Sequence, residues 1–161
     1  MTEKQKISLD TIISAVSDDY RDSFRQVAEY AISLGYNPKL NAKKTYADFI
    51  KSKHGKTLMK IDTDPKFPPR LAIRFDALPV YSGIFLEAIE YRVDLLEQMG
   101  HKVRCWGCKK CDGTIGYKYK LSDGREGFLC GRGVIDIPSF AAEHISKIKD
   151  ALKVQDDFLM S

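Results

Sequence analysis

Four cysteines in a short stretch constrain this chain more than any other feature of its sequence. Cys105, Cys108 and Cys111 follow one another with two residues between neighbours, and 18 residues separate Cys111 from Cys130. A Cys-x2-Cys step lets two thiolates from one tight turn bind the same tetrahedral ion, and a hairpin can return a further thiolate to that ion. The spacing therefore predicts a metal-binding loop and hairpin over residues 105–130, with Zn²⁺ held by all four cysteines.

The residues between the third and fourth cysteines have the pattern of such a hairpin. Ile115, Tyr117, Tyr119 and Leu121 alternate with glycine and lysines, residues 122–125 are typical of a turn, and residues 126–130 form the return strand. With a two-residue turn at positions 123 and 124, Cys130 would lie opposite Tyr117. The chain after Cys111 must then fold back to close the metal site.

The cysteine pattern leaves several interpretations open. It has the span of a zinc ribbon, but position 133 is glycine where a ribbon has its fourth cysteine, so Cys105 is the substitute ligand. Four thiolates would leave no open position on the metal, which favours a structural zinc. The alternatives are an iron–sulfur cluster, a thiol-redox pair formed by Cys108 and Cys111 beside two lysines, and thiols that bind no metal.

Apolar periodicity predicts an α/β chain of the α+β kind. We expect a mostly antiparallel, twisted sheet packed by N-terminal, central and C-terminal helices, with the cysteine-bearing hairpin attached, all in a single domain of residues 1–161. The predicted helices are 10–16 (capped by Asp10), 18–34, 45–52, 82–100 and one after Pro138, and the predicted strands are 56–62, 71–75, one around Val103, the hairpin and 134–137.

The element order and the segment Arg70-Leu-Ala-Ile-Arg-Phe-Asp-Ala-Leu-Pro79 resemble the small bacterial YdhG-like α/β proteins. The likeness covers residues 57–152. It implies a compact sheet-and-helix domain, in a group for which small-ligand or metal handling is suggested. The cysteine insertion does not belong to the pattern of that group.

The charge of the chain is uneven, although its net value is only +4. Residues 39–74 contain ten Lys and Arg against three Asp and Glu, a local excess of +7. A basic stretch of this kind can attract an anionic partner. One hypothesis is therefore a nucleic-acid-binding module that uses Lys43, Lys44, Lys51, Lys53 and Lys56.

A small-ligand cleft is a further hypothesis. Arg74 and Asp76 are predicted on the outer face of a strand, with Tyr81 nearby, and Trp106 lies between two of the cysteines. An outward ion pair between Arg74 and Asp76 is the plainer interpretation of the first two residues. The histidines, His54, His101 and His144, have no partner at metal-ligand spacing and are predicted to be solvated or at helix ends.

Composition excludes several classes of protein. Hydrophobic residues make up 43% of the chain and charged residues 30%, which is typical of a packed globular domain. The first residues lack the pattern of a secretory signal, so we expect a cytoplasmic protein with reduced thiols and no membrane partner. Standard catalytic fingerprints are absent from the sequence. The sequence thus predicts a non-enzymatic, zinc-stabilised domain that binds a protein or small-molecule partner.

Overall fold

The computed structural model describes residues 1–74, 83–100, 116–130, 133–137 and 140–161. Within them the helices are α1 (Glu3–Ser14), α2 (Asp18–Ser33), α3 (Ile84–Gln98) and α4 (Ile145–Met160), with a short 3-10 helix, Ala142–His144, before α4. The strands are β1 (Asn37–Leu40), β2 (Tyr46–Ile50), β3 (Thr57–Asp62), β4 (Arg70–Ile73), β5 (Gly116–Lys120), β6 (Glu126–Cys130) and β7 (Ile135–Ile137).

Five of the strands form one antiparallel sheet in the order β1-β2-β3-β4-β7. Strands β5 and β6 form a separate antiparallel hairpin. Helices and a mostly antiparallel sheet therefore make an α+β fold, which confirms the predicted fold class. The predicted strand around Val103 lies outside the described residues.

One face of the sheet lies on the hydrophobic core. Cross-strand pairing places apolar side chains in rows on this face, because paired residues of antiparallel strands point to the same side. Helices α1, α2 and α4 pack with these rows, and α3 contacts β7. The buried apolar residues of the described ranges, apart from Ala72, form one cluster. Its sheet residues include Ala47, Phe49, Met59, Ile61, Leu71 and Ile73, all fully buried.

The opposite face of the sheet carries half-buried charges that pair across strands. Lys60 Nζ lies 3.7 Å from Asp48 on β2 and stacks over the ring of Tyr46. Arg70 contacts Asp62 at 2.7 Å and Asp136 at 3.8 Å. Alternation of an apolar and a charged face explains why the strands keep their register, since a slip of one residue would bury these charges.

The first helix begins earlier than the sequence predicts. Thr2 and Gln5 form a capping box, with the Thr2 hydroxyl accepting from the Gln5 N–H and the Gln5 side chain accepting from the Thr2 N–H. The prediction that Asp10 caps this helix is wrong. Asp10 lies within α1 and binds Arg25 of α2 at 2.9 Å.

The predicted helix over residues 45–52 is also wrong, because residues 46–50 form β2. Tyr46, Phe49 and Ile50 have helix-like spacing, but this segment pairs with a strand on each side. Those pairings turn Ala47 and Phe49 into the core. Strand β1 was not predicted. It contains Pro38, which is compatible with a strand at the edge of a sheet.

Phe49→Ala tests the position of β2. Phe49 is fully buried, so we expect the substitution to lower the free energy of unfolding by about 3–5 kcal/mol. Its neighbour Asp48 faces the other way, and Asp48→Ala should cost less than about 1 kcal/mol. Urea unfolding followed by circular dichroism measures both values. Equal losses for the two variants would contradict the strand.

Candidate functional site

Only the last of the four predicted metal ligands lies in the described part of the chain. Cys130 is the final residue of β6, is half-buried and forms no disulfide. Cys105, Cys108, Cys111 and Trp106 lie outside the described residues. Among the described residues no group of three or more His, Cys, Asp or Glu side chains could hold a metal ion. Of the predicted zinc site, the structure therefore describes only Cys130 and the hairpin that carries it.

The register of this hairpin differs by one residue from the prediction. Gly116 pairs with Cys130, and Leu129 pairs with Tyr117. The Leu121 N–H donates to the Arg125 carbonyl at 2.7 Å, which leaves a loop of three residues, and Gly124 ends that loop with φ +88°. Three-residue hairpin loops require such a left-handed residue, and glycine adopts it without strain.

Gly116 lies very close to the strand that carries Cys130. A Cβ at this position would lie 2.1 Å from the Leu129 carbonyl oxygen and 2.4 Å from Cζ of Phe128. The hairpin is also anchored to α3, because the Arg125 guanidinium contacts Asp94 and Glu97 at 2.8 Å each. Cys130 therefore sits on a hairpin whose register and attachment are both fixed.

Gly116→Ala tests this close approach. The added methyl group would force the two hairpin strands apart, so we expect a loss of about 1–3 kcal/mol in the free energy of unfolding. Gly133→Ala is the matched control, since a Cβ at Gly133 would have no atom within 4 Å. Urea denaturation of both variants provides the comparison, and an unchanged midpoint for Gly116→Ala would contradict the packing.

A second group of polar side chains meets at one end of the five-stranded sheet. Here β1 and β3 begin and β2 and β4 end, and the second half of α4 packs nearby. We name this group the Tyr36 cluster, and it consists of Tyr36, Lys51, His54, Arg74 and Asp156.

Hydrogen bonds connect four members of the Tyr36 cluster, namely Tyr36, Lys51, His54 and Asp156, into a chain. The hydroxyl of Tyr36, a fully buried residue, donates to Asp156 Oδ1 at 2.9 Å, and Lys51 Nζ donates to the same oxygen at 2.8 Å. His54 Nε2 lies 3.2 Å from the Tyr36 oxygen. The backbone N–H of Lys56 donates to His54 Nδ1 at 3.1 Å.

These partners determine the protonation of His54. Its Nδ1 accepts a hydrogen bond and so carries no proton, and the single proton of the Tyr36 hydroxyl points to Asp156. His54 must therefore be neutral, with its proton on Nε2, in order to donate to the Tyr36 oxygen. His54 is not at a helix end and is only partly solvated, because it lies half-buried in the turn between β2 and β3 with both ring nitrogens bonded.

Electrostatics in the Tyr36 cluster favour the same protonation states. Partial burial lowers the pKa of His54 below its ordinary value of 6.5, and the positive charges of Lys56, Lys51 and Arg74 lower it further, against the opposing carboxylate of Asp156. Burial raises the pKa of Tyr36, and its hydrogen bond to Asp156 raises it again. Both groups are neutral at physiological pH.

The pH dependence of stability tests the state of His54. The pKa of His54 is lower in the folded than in the unfolded protein. As the pH falls below 6.5, the unfolded state therefore binds more protons than the folded state. Stability should therefore decrease from pH 6.5 toward the lower pKa of the folded state. We expect His54→Gln to remove this part of the slope, while His144→Gln retains it. Urea unfolding at a series of pH values measures the slope, and an unchanged slope in His54→Gln would contradict the argument.

The lysines predicted to bind nucleic acid lie at two opposite ends of the sheet. Lys43 and Lys44 are exposed in the turn between β1 and β2, whereas Lys51, Lys53 and Lys56 belong to the turn between β2 and β3. The five residues of β2 separate the two turns by about 17 Å. Lys51 is also engaged with Asp156, and its side chain is only 17% exposed. The structure thus brings three of the five lysines together.

Of the residues predicted to line a ligand cleft, the structure describes Arg74. It is buried rather than outward-facing. Its backbone N–H donates to the Leu58 carbonyl, and its Nε donates to the Thr57 carbonyl. The prediction of outward exposure is wrong, because Arg74 follows the end of β4 and belongs to the Tyr36 cluster. Asp76 and Tyr81 lie outside the described residues.

Sequence reasoning missed Tyr36 and Asp156. The two residues are 120 positions apart, and no local motif connects them. One signal was present in α4, where the buried stripe of Ile148 and Leu152 continues to Asp156 and Leu159. A carboxylate on the apolar stripe of a helix requires a buried polar partner.

Comparison of the chain with models of protein families, with curated proteins and with solved structures gives no match. The resemblance to the YdhG-like proteins stays a prediction. None of the helices in the described ranges is long and apolar enough to cross a membrane.

Proposed function

We propose that this chain is a zinc-stabilised cytoplasmic domain that binds a small ligand or a protein partner. In this proposal Cys105, Cys108, Cys111 and Cys130 hold one Zn²⁺ as thiolates. A closed site of this kind leaves no position for a reactive water, so the metal would be structural and the site would not be hydrolytic. The metal would fix the loop of residues 105–115 against the hairpin.

The pairing of Gly116 with Cys130 is the observation that supports this proposal. It places the backbone of Cys130 about 5 Å from that of Gly116. Cys111 precedes Gly116 by five residues, which span at most about 18 Å when fully extended. A single reversal of this short connection is enough to bring the two sulfur atoms to one ion. The anchored hairpin would present Cys130 in a constant position.

Charges in the sequence around the cysteines also favour bound thiolates. Four thiolates on one Zn²⁺ carry a net negative charge, and Arg104, Lys109, Lys110 and Arg132 are neighbours of the cysteines in the chain. Cations near a thiolate site offset this charge. The same lysines would activate a thiol in the redox alternative, so the metal content of the protein decides between the two.

Cys130→Ser tests the zinc site. We expect about one zinc per chain in the purified protein and four thiols that react only after chelation. Cys130→Ser should contain clearly less zinc and unfold at lower urea concentration, because a hydroxyl is a much poorer zinc ligand than a thiolate. Elemental analysis, thiol titration and urea unfolding measure these effects. Ser122→Ala, in the exposed turn of the same hairpin, is the matched control and should retain the metal.

Three results would contradict the proposal. Full zinc content in Cys130→Ser would show that Cys130 is not a ligand. Iron with sulfide would identify the cluster alternative. Rapid alkylation of Cys108 and Cys111 in metal-free native protein would favour the thiol-redox alternative.

A further inference from the structure

The hairpin of β5 and β6 depends on side chains for its position, because its strands, among those described, pair only with each other. A two-stranded hairpin on its own is marginally stable in water. Part of its attachment is apolar, since Tyr119, Leu121 and Leu129 are buried in the same cluster as Leu96 of α3. The location of Cys130, at the end of β6, therefore depends on how the hairpin packs.

Ion pairs provide the other part of the attachment. Arg125 Nη1 lies 2.8 Å from both Asp94 and Glu97 of α3. Its Nε lies 2.6 Å from Asp123 in the hairpin loop, and its backbone N–H donates to the same carboxylate at 2.9 Å. We name these four residues the Arg125 network. A single exposed ion pair contributes little to stability, but a guanidinium shared by several carboxylates forms a network that can contribute more. Arg125 thus holds α3 against the loop of the hairpin.

The Arg125 network also connects the two elements between which the other cysteines lie in the sequence. Residues 101–115 start directly after Gly100, which follows α3, and end before Gly116, the first residue of β5. A segment whose ends are fixed relative to each other loses less entropy when it closes around a ligand. The network therefore lowers the entropy cost of bringing Cys105, Cys108 and Cys111 to a metal ion.

We propose that Arg125 is a positioning residue for the zinc site, and that the Arg125 network and the bound metal stabilise each other. Arg125 precedes Cys130 by five residues, about 17 Å along an extended strand, so it acts through the placement of the hairpin. The inference rests on the proposed function and names how that site is controlled. Linkage makes the effect reciprocal, because zinc must strengthen the docking of the hairpin by the same factor by which the docking tightens zinc.

The first experiment measures the zinc affinity of the full chain by competition with a chromogenic chelator under reducing conditions. Arg125→Gln removes the guanidinium and leaves the three carboxylates of the network to repel one another. We therefore expect the dissociation constant for zinc to rise by about three- to tenfold. Arg125→Lys keeps the charge but not the planar fork, so it should recover part of the lost affinity.

Arg25→Gln is the matched control for a general loss of stability. The Arg25 side chain is 35% exposed, against 32% for Arg125, and it also pairs with two carboxylates, Asp10 and Glu29. Its contacts connect α1 with α2 rather than α3 with the hairpin. This variant should leave the dissociation constant for zinc within about twofold of the native value.

A double-mutant cycle tests whether Arg125 acts through α3. Asp94→Asn with Glu97→Gln removes the two carboxylates of α3 that Arg125 contacts. If the arginine acts through them, combining these changes with Arg125→Gln should raise the dissociation constant by less than the product of the separate effects. Effects that simply multiply would show that Arg125 acts independently of α3 and would contradict the proposal.

Amide hydrogen exchange in the zinc-free chain measures the docking of the hairpin without the metal. Residues 117–129 should exchange faster in Arg125→Gln than in the native chain or in Arg25→Gln, because the hairpin has lost part of its attachment. Adding zinc to the native chain should slow the exchange of the same residues, as reciprocity requires.

Weaker zinc binding together with faster exchange of the hairpin, in Arg125→Gln but not in Arg25→Gln, supports the inference. Equal zinc affinity in the native chain and Arg125→Gln, or equal weakening by Arg25→Gln, overturns it and leaves the proposed function intact. Weaker zinc binding without faster exchange also overturns it, because Arg125 would then not act through the hairpin. A native chain that binds no zinc rejects the proposed function, and the inference with it.

Discussion

The carboxylate of Asp156 connects parts of the chain that no local interaction could hold together. It lies near the C-terminal end of α4 and accepts hydrogen bonds from Tyr36, which follows α2, and from Lys51, which follows β2. Its side chain is only 10% exposed, so an unpaired charge at this position would be strongly destabilising. The final helix, the end of α2 and the end of the sheet must all be in place before this carboxylate is satisfied.

The need to satisfy these buried polar groups also explains why the β2–β3 turn has a defined conformation. The Tyr36 hydroxyl has one proton and gives it to Asp156, so its remaining hydrogen-bonding capacity is as an acceptor. His54 supplies the donor, and its other nitrogen then accepts from the Lys56 N–H. A polar group buried in the core thereby determines the conformation of a turn at the surface. These hydrogen bonds hold the backbone of the turn that carries Lys53 and Lys56.

The parts of the fold that the sequence predicted correctly are those with a clear local period. Helix α2 has a stripe of apolar residues that ends at Gly35, and the first arm of the hairpin has strict alternation before a glycine-containing turn. The prediction for β2 was wrong because the eight residues 45–52, with apolar positions three and four apart, fit a helix as well as a strand. Its strand form comes from pairing with β1 and β3, which is non-local information. The one-residue error in the hairpin has a local origin, because the loop has three residues and ends at Gly124 with φ +88°, where two residues were predicted.

The candidate site was predictable only in part, for a related reason. The composition of residues 39–74 revealed an excess of positive charge, but only the strand order shows that β2 separates Lys43 and Lys44 from the other three lysines. Within the remaining group, structural and functional contributions can be distinguished by burial. Lys51 is mostly buried and bonded to Asp156, so its removal would affect stability whatever the ligand. Lys53 and Lys56 are exposed, and the bond to His54 uses only the Lys56 backbone. Their side chains can therefore be exchanged without disturbing the Tyr36 cluster, and a role for them in binding can be separated from a role in folding.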